Sequence, residues 1–297
     1  MSSKSTAEAD RGVTVIPTFR RAGVAPGPHL VVFGAIHGNE VCGPLALQRL
    51  MEEFESGKRT LLKGTCTFVP VCNARAFAAN TRYIEENLNR VFLVREDPTS
   101  HEGQLANELA PLVHQADYLL DLHSMQADGE PFVFLNNPNR SSEEFCHALG
   151  VPCIMKGWPE LYAAHPDKLA NCTQSFADRL AIPNALIECG RHDDPQSVEV
   201  AYRTVLNALN FLGLCATGPV ILRTTRFLEL RSIFFREHAG DTFVKTWRNF
   251  EPVRQGDIVG HRATGEPVRS NVDGFIVFPS PVSAVGTEWF YVAESAS

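Results

Sequence analysis

One short segment of the sequence places a histidine and a glutamate three residues apart. His37 and Glu40 lie in GAIHGNE (34–40), where an apolar run that predicts a strand ends. Imidazole nitrogen and carboxylate oxygen are ligands of zinc, and a catalytic zinc site uses three protein ligands plus a water. A His-x-x-Glu step can bring both groups to one ion. Such steps also arise by chance, so the segment alone equally fits a turn histidine beside a glutamate at a helix N-terminus.

A second histidine stands at the end of another apolar run. YLLDLHS (118–124) places His123 at the end of a predicted strand. In open α/β sheets, ligands bind outside the carboxyl ends of the strands, so we expect His37 and His123 at the same edge. Asp121 lies two residues before His123 and leaves the same face of the strand, where it can line the site or hold a ligand. The alternative is a strand end that faces solvent, although a buried aspartate needs a partner.

A glutamate follows the apolar residues of ALIECG (185–190). Glu188 stands near the end of this predicted strand, which suits a partly buried general base. Burial raises the pKa of a carboxyl group toward the working pH, as general base catalysis requires. The alternative is an ordinary glutamate at a strand end.

Two arginines and an asparagine lie in TRYIEENLNRVF (81–92), a predicted loop between a strand and a helix. Arginine pairs with carboxylates through two parallel hydrogen bonds, so Arg82 and Arg90, with Asn89, are candidates for substrate binding. Taken alone, the segment also fits a solvated loop of mixed charge.

Strands and helices alternate from residue 29 to residue 212. The predicted strands cover 29–35, 64–73, 117–124, 131–137 and 185–190. The predicted helices cover 43–56, 102–116 (kinked or divided at Pro111), 141–150, about 173–181 and 197–214. This alternation indicates an α/β sheet that is covered on both faces. Residues 156–166, with Trp158, Tyr162 and His165, are predicted as a long loop.

The pattern of residues changes after Cys215. Short β-rich runs are separated by Gly, Pro and Asp turns, which predicts a smaller all-β domain that resembles a compact sandwich. We therefore divide the chain into an α/β domain, residues 1–214, which carries the candidate zinc ligands, and a β-rich C-terminal domain, residues 215–297.

Composition excludes several classes of protein. The 297 residues carry a net charge of -7, which argues against a nucleic-acid partner because nucleic-acid binding needs a basic face. No apolar run approaches the roughly 18 residues that cross a bilayer, and the N-terminus lacks the apolar region of a secretory signal. The 8 cysteines form no CxxC pair and fit buried free thiols. We expect a cytoplasmic protein without a membrane partner; the sequence leaves its oligomeric state open, with a homodimer as the general prior.

Four segments, GAIHGNE, RYIEENLNRVF, DLHS and ALIECG, together resemble the succinylglutamate desuccinylase/aspartoacylase family in order and spacing. These enzymes are relatives of the zinc carboxypeptidases. The resemblance covers most of residues 29–212, and the β-rich tail also matches the C-terminal domain of the family. It implies a zinc-carboxypeptidase-like α/β fold, a mixed sheet flanked by helices, with a smaller C-terminal all-β domain. It also implies one Zn²⁺ per chain, held by His37, Glu40 and His123.

The same resemblance implies a reaction. Glu188 becomes the general base, Arg82 polarises the scissile carbonyl, and Asn89 and Arg90 clamp the carboxylate of the substrate. The implied substrate is a small N-acyl amino acid, whose amide bond is hydrolysed to a carboxylic acid and a free amino acid. Two alternatives stay open: a zinc carboxypeptidase that acts on a C-terminal peptide bond, and a non-catalytic binding protein that retains the fold.

Two residues depart from the family pattern. Aspartoacylases carry a further arginine shortly before the catalytic glutamate, which grips the side-chain carboxylate of aspartate. Ungapped matching places Gln174 there, with Arg179 and Arg191 as the residues that could substitute. Asn87 stands where many relatives carry aspartate. The resemblance therefore implies deacylation more firmly than it implies an acidic substrate, and the acyl group and the amino acid side chain stay open.

Overall fold

The computed structural model describes residues 16–165, 168, 171–215 and 226–296. The strands are β1 (Phe19–Ala22), β2 (Ala25–Gly34), β3 (Lys63–Val69), β4 (Tyr118–Met125), β5 (Phe132–Phe134), β6 (Cys153–Lys156), β7 (Asn184–Arg191), β8 (Arg226–Phe235), β9 (Thr242–Phe243), β10 (Pro252–Val253), β11 (Ile258–His261), β12 (Pro267–Arg269), β13 (Gly274–Val277) and β14 (Glu288–Ser295). The helices are α1 (Cys42–Glu55), α2 (Ala74–Ala79), α3 (Leu88–Val91), α4 (His101–His114), α5 (Arg140–Ala148), α6 (Trp158–Ala163), α7 (Thr173–Arg179) and α8 (Pro195–Phe211).

Eleven strands of the described residues form one mixed sheet, in the order β1-β3-β2-β4-β7-β5-β6-β8-β14-β13-β10. Strands β3, β2, β4 and β7 run parallel to one another. Their carboxyl ends therefore lie at the same edge, which is where an open α/β sheet binds ligands. The register pairs Gly34 with Leu122 and His123 with Glu188. This pairing places the ends of β2, β4 and β7 side by side.

Both faces of the parallel strands are buried under helices, as their apolar runs predict. Leu30 and Val32 of β2 belong to the core that α1 and α8 cover. Val31 and Phe33 point to the opposite face and belong to the core under α4 and α7. The helices thus cover both faces of the strands below the edge that carries the site.

The strands after residue 225 continue the same sheet. Strand β8 pairs in parallel with β6, and β14 then pairs antiparallel with β8. A separate small sheet has the order β12-β11-β9. All regular elements described after residue 225 are strands, so the predicted smaller all-β part is present. The division of the chain at residue 215 stays a prediction, and residues 216–225 lie outside the described part.

Two local predictions were wrong. Helix α4 runs undivided through Pro111, because Leu109 and Val113 bury one side of it in the core and so outweigh the lost hydrogen bond. The predicted loop over 156–166 instead contains α6, which begins after Gly157 in a left-handed conformation (φ 91°). A proline in the first turn of α6 suits a helix start, a signal that the sequence contained. None of the described helices is both long and apolar enough to span a bilayer.

Candidate metal centre and active site

The structure brings the three predicted metal ligands together. Their ligand atoms lie within 4.8 Å of one another, and all three side chains are buried. Nδ1 of His37 is 2.8 Å from Oε1 of Glu40, and Nδ1 of His123 is 2.9 Å from Oε2 of the same carboxylate. His37 follows β2, Glu40 precedes α1, and His123 lies near the end of β4, as the strand-end argument predicts.

A glycine lets the turn that carries His37 approach α2 closely. A Cβ on Gly38 would lie only 2.0 Å from the carbonyl carbon of Ala76, which no side chain can tolerate. The Gly38 N–H donates to the carbonyl of Arg82 at 3.2 Å. This turn is therefore fixed against both α2 and the loop that follows it.

The far side of the His37 ring is held by Asn87. Nε2 of His37 is 3.0 Å from Oδ1 of Asn87, and this oxygen also accepts the backbone N–H of Asn89 at 2.9 Å. The amide is thereby oriented with its oxygen toward the ring, so His37 carries its proton on Nε2 and presents Nδ1 to the site. Asn87 thus fills the positioning role that an aspartate could also fill.

The far side of the His123 ring faces Asp121, as predicted for a residue that leaves the same face of the strand. Nε2 of His123 lies 3.1 Å from Oδ2 of Asp121. The Thr173 hydroxyl donates to that same oxygen at 2.5 Å. Asp121 is fully buried, so it is a held carboxylate and not a solvent-facing strand end.

Positive charge is favoured at the point where these ligands meet. Burial lowers the pKa of His37 to about 4, and the nearby Arg82 adds to this, so His37 is neutral and can donate its lone pair. Burial also disfavours charge on His123, but the carboxylates of Asp121 and Glu40 outweigh it and raise its pKa well above the usual value. The two Nδ1 atoms lie 3.2 Å apart. A divalent cation supplies the positive charge that a proton on His123 would otherwise provide, so this N, N, O donor set fits a zinc ion.

Two further groups hold the Glu40 carboxylate. NH1 of Arg82 donates to Oε1 at 3.0 Å, and the backbone N–H of Ser124 donates to Oε2 at 3.1 Å. The Arg82 side chain is 44% exposed, so part of its guanidinium faces the cavity as well. With five N–H donors, an arginine can hold this ligand and still donate to a substrate oxygen.

Glu188 stands beside His123 in the sheet and is 7% exposed. Its Oε2 has no hydrogen-bond partner among the described residues. Burial raises the pKa of this carboxyl well above its usual value, and the negative charge of Glu40 raises it further. A carboxyl group in this state is suited to take up and return a proton.

Arg90 does face the cavity, but a carboxylate of the protein already occupies part of its guanidinium. NH2 of Arg90 is 3.0 Å from Oε1 of Glu288 on β14, and the Tyr162 hydroxyl donates to the same oxygen at 2.5 Å. Asn89 is buried beside it and accepts the backbone N–H of Thr173 at 3.3 Å. Sequence reasoning missed Glu288, because only the return of the last strand to the sheet brings it to Arg90.

A buried glutamate that sequence reasoning did not select holds the loop that carries Arg82 and Asn87. Oε1 of Glu102 accepts the N–H of Ile84 at 2.8 Å, and Oε2 accepts those of Glu85 and Glu86 at 3.2 and 3.1 Å. The Asn73 side chain donates to Oε1 at 3.0 Å. Glu102 therefore fixes the backbone that leads from Arg82 to Asn87.

A cavity of about 750 Å³ opens over these residues. It is lined by His37, Arg82, Asn89, Arg90, His123 and Glu188, together with residues of the C-terminal segment such as Phe278 and Tyr291. Gln174 lines it too, whereas neither Arg179 nor Arg191 is among the described lining residues. His192 also lines the cavity, and its Nδ1 lies 2.8 Å from the Ser124 hydroxyl oxygen.

Comparison with known proteins places this site in a family. The sequence profile of the succinylglutamate desuccinylase/aspartoacylase catalytic domain matches residues 26–179. The chain belongs to the succinylglutamate desuccinylase/aspartoacylase family. This membership confirms the resemblance that the four motifs carry. The proteins of this family are deacylases, and the family relation supports an enzyme that hydrolyses acyl–amino acid bonds.

Several relatives match this chain over most of its length. The N-acyl-aromatic-L-amino acid amidohydrolase (carboxylate-forming) of Rattus norvegicus is 32% identical, and the match covers 84% of each chain. The succinylglutamate desuccinylase of Vibrio vulnificus (strain YJ016) is 28% identical over 87% of this chain and 78% of its own. A succinylglutamate desuccinylase/aspartoacylase from Rhodobacter sphaeroides has a similar solved structure, with a TM-score of 0.77 at 21% identity over 95% of this chain and 89% of that chain. This likeness confirms the mixed α/β fold.

Proposed function

We propose that the protein is a zinc-dependent amidohydrolase that cleaves the amide bond of an N-acyl amino acid and releases a carboxylic acid and a free amino acid. The observation that carries this proposal is the meeting of His37, Glu40 and His123 beside a buried carboxyl, Glu188, whose Oε2 has no hydrogen-bond partner among the described residues. The family relation supports the same bond type.

In this proposal His37, Glu40 and His123 hold one zinc ion per chain. Zinc bound to such a ligand set polarises a carbonyl and makes water a better nucleophile. Glu188 takes the proton of the attacking water and passes it to the departing amine. Arg82 donates a hydrogen bond to the carbonyl oxygen as negative charge develops on it. Asn89 and Arg90 hold the carboxylate of the amino acid.

The C-terminal segment that covers one side of the cavity supports a small substrate over a peptide. Residues of the C-terminal segment, including Phe278, Glu288 and Tyr291, form one wall of the cavity that holds Glu188. A long peptide needs an open groove on at least one side of the scissile bond. The names of the relatives leave the side chain open, because the rat enzyme is named for aromatic amino acids and the Vibrio enzymes for succinylglutamate.

The test is amine release from a panel of N-acyl amino acids by the zinc-loaded protein, with Glu188→Ala as the control. Acetyl, formyl and succinyl groups are crossed with acidic, neutral and basic side chains. Release that vanishes in the variant supports the proposal. Release from C-terminal peptide bonds alone would replace it with a carboxypeptidase. A cytoplasmic location and a homodimer stay predictions.

A further inference from the structure

Four aromatic rings form a continuous wall on one side of the cavity. The ring centroid of Trp158 lies 5.2 Å from that of Phe134 and 5.6 Å from that of Tyr291. The ring of Phe278 contacts two members of this group, with its centroid 6.0 Å from that of Phe134 and 6.1 Å from that of Tyr291. All four side chains line the cavity. We call these four residues the aromatic wall.

The aromatic wall adjoins the group that holds the substrate carboxylate in the proposed function. The guanidinium of Arg90 lies over the Trp158 ring, 5.3 Å from its centroid. In an N-acyl amino acid, the carboxylate and the side chain leave the same carbon, whereas the acyl group lies beyond the scissile bond. A surface beside Arg90 therefore faces the amino acid side chain.

The charges of the cavity disfavour a second carboxylate on the substrate. Each arginine among the described lining residues already pairs with a carboxylate, since Arg82 contacts Glu40 and Arg90 contacts Glu288. Lys168 also lines the cavity, and it donates to the Gly286 carbonyl at 3.1 Å through an exposed contact. Two lining carboxyl groups, Glu188 and Glu288, add negative charge to the cavity. An acidic side chain beside the aromatic wall would have to compete for Arg90 with Glu288 and with the carboxylate of the substrate that Arg90 holds in the proposed function.

The side-chain amide of Gln174, which also lines the cavity, already has hydrogen-bond partners within the protein. Nε2 of Gln174 donates to the Phe134 carbonyl at 3.1 Å and to Oδ1 of Asn184 at 3.0 Å. Gln174 is 2% exposed and is thereby held against β5 and β7. It does not offer the bidentate fork that recognises a carboxylate. The cavity, at about 750 Å³, is in the range that accommodates ligands much larger than an acetylated small amino acid.

We propose that the preferred substrates are N-acyl amino acids with an aromatic or bulky apolar side chain, which packs against the aromatic wall. This inference rests on the proposed function and decides the side chain that it leaves open. Burial of a large apolar side chain stabilises a complex enough to raise kcat/KM by about 10- to 100-fold.

The experiment compares kcat/KM of the zinc-loaded full chain for N-acetyl-L-phenylalanine, N-acetylglycine and N-acetyl-L-aspartate. We expect the phenylalanine compound to exceed each of the others by about 10-fold or more. Equal values for the three compounds, or a preference for aspartate, would overturn the inference while leaving the deacylase in place.

Substitution of Trp158 tests whether the aromatic wall causes the preference for the phenylalanine compound. Trp158→Leu is expected to lower the phenylalanine-to-glycine ratio of kcat/KM by about 5-fold or more, and Trp158→Phe to retain most of it. The matched control is Phe145→Leu, a buried aromatic 5.1 Å from Tyr118 and outside the described lining of the cavity. It lowers stability without moving the ratio. An unchanged ratio in a folded Trp158→Leu protein would contradict the assignment to the aromatic wall.

A binding measurement separates this inference from the proposed function. Calorimetry with Glu188→Gln protein and either N-acetyl-L-phenylalanine or N-acetyl-L-aspartate requires no turnover. If the wild-type protein hydrolyses no N-acyl amino acid, the proposed function fails, and tighter binding of the phenylalanine compound then supports only the part of the inference that places an aromatic side chain against the aromatic wall. Equal or absent binding of both compounds would overturn it.

Discussion

Each of the two candidate metal-binding histidines lies against a second side chain on the side of its ring that faces away from the metal site. Asn87 sets the ring of His37 and Asp121 faces that of His123, so both Nδ1 atoms point at Glu40. Such partners fix the tautomer and orientation of metal-binding histidines. Asp121 could be predicted from the two-residue period of a strand. The contact of Asn87 could not, because it depends on how the loop folds back over fifty residues of sequence.

The carboxyl group of Glu188 gives the first prediction at this scale. Glu188→Gln keeps the shape and burial of the side chain but removes its ability to accept a proton. We expect kcat to fall by about 10²- to 10⁴-fold while bound zinc stays at the wild-type level. Enzyme assays with metal analysis of the same samples check this.

An exposed glutamate serves as the control for that substitution. Glu144 pairs with Arg140 on the surface of α5, and Glu144→Gln should leave kcat unchanged. Near-normal turnover by a folded, zinc-containing Glu188→Gln protein would remove Glu188 from the role of general base.

At the scale of elements, the loop between α2 and α3 depends on one carboxylate of α4. Burial opposes ionisation of Glu102, but the three backbone N–H groups and Asn73 outweigh it and lower its pKa. Glu102→Gln exchanges one accepting oxygen for an amide nitrogen that cannot accept. We expect kcat/KM to fall by about 10-fold or more, because one lost hydrogen bond to a charged group costs about 1.5–3 kcal/mol and frees the loop that carries Arg82.

The same helix offers a matched control for the loop. Glu108 lies on α4, is partly buried, and has one oxygen without a partner among the described residues. Glu108→Gln should leave kcat/KM close to the wild-type value. If both variants lose activity in proportion to their loss of stability, Glu102 has no specific role in positioning the loop.

A second prediction at this scale concerns the contact between α1 and α8. Burial disfavours charge on Glu53, but hydrogen bonds from Lys58, Arg59 and the Tyr202 hydroxyl of α8 outweigh it and lower its pKa from 4.5 to about 2. The carboxylate therefore stabilises the fold above the unfolded-state pKa of 4.5, and this contribution is lost as the pH falls toward 2.

The measurement is the free energy of unfolding in urea at pH 7, 5 and 3. Glu53→Gln should lose about 1–3 kcal/mol at pH 7 and a smaller amount at pH 3. Its exposed neighbour provides the comparison, since Glu52→Gln should change the free energy by less than about 0.5 kcal/mol. A Glu53→Gln deficit that stays constant across this pH range would show that the charge of Glu53 does not stabilise the fold.

For the whole molecule, the sequence predicted an α/β sheet covered on both faces and the edge at which the site forms. Apolar residues cluster in runs such as 29–35 and 185–190, and the ends of these runs carry the polar residues. The course of the sheet from β6 to β8 and β14 could not be predicted, because pairing between distant strands leaves no local signal. That pairing brings Glu288 and Tyr291 into the cavity, so the substrate side of the site was harder to predict than the metal side.

The central claim is that a zinc ion held by His37, Glu40 and His123 is required for deacylation. The most direct test is to remove all metal from the protein, add zinc back in measured steps, and record amine release from an N-acyl amino acid. We expect no release without metal and a linear rise that ends at one zinc per chain. Full release by the metal-free protein, or none at any zinc concentration with the panel of substrates, would contradict the claim.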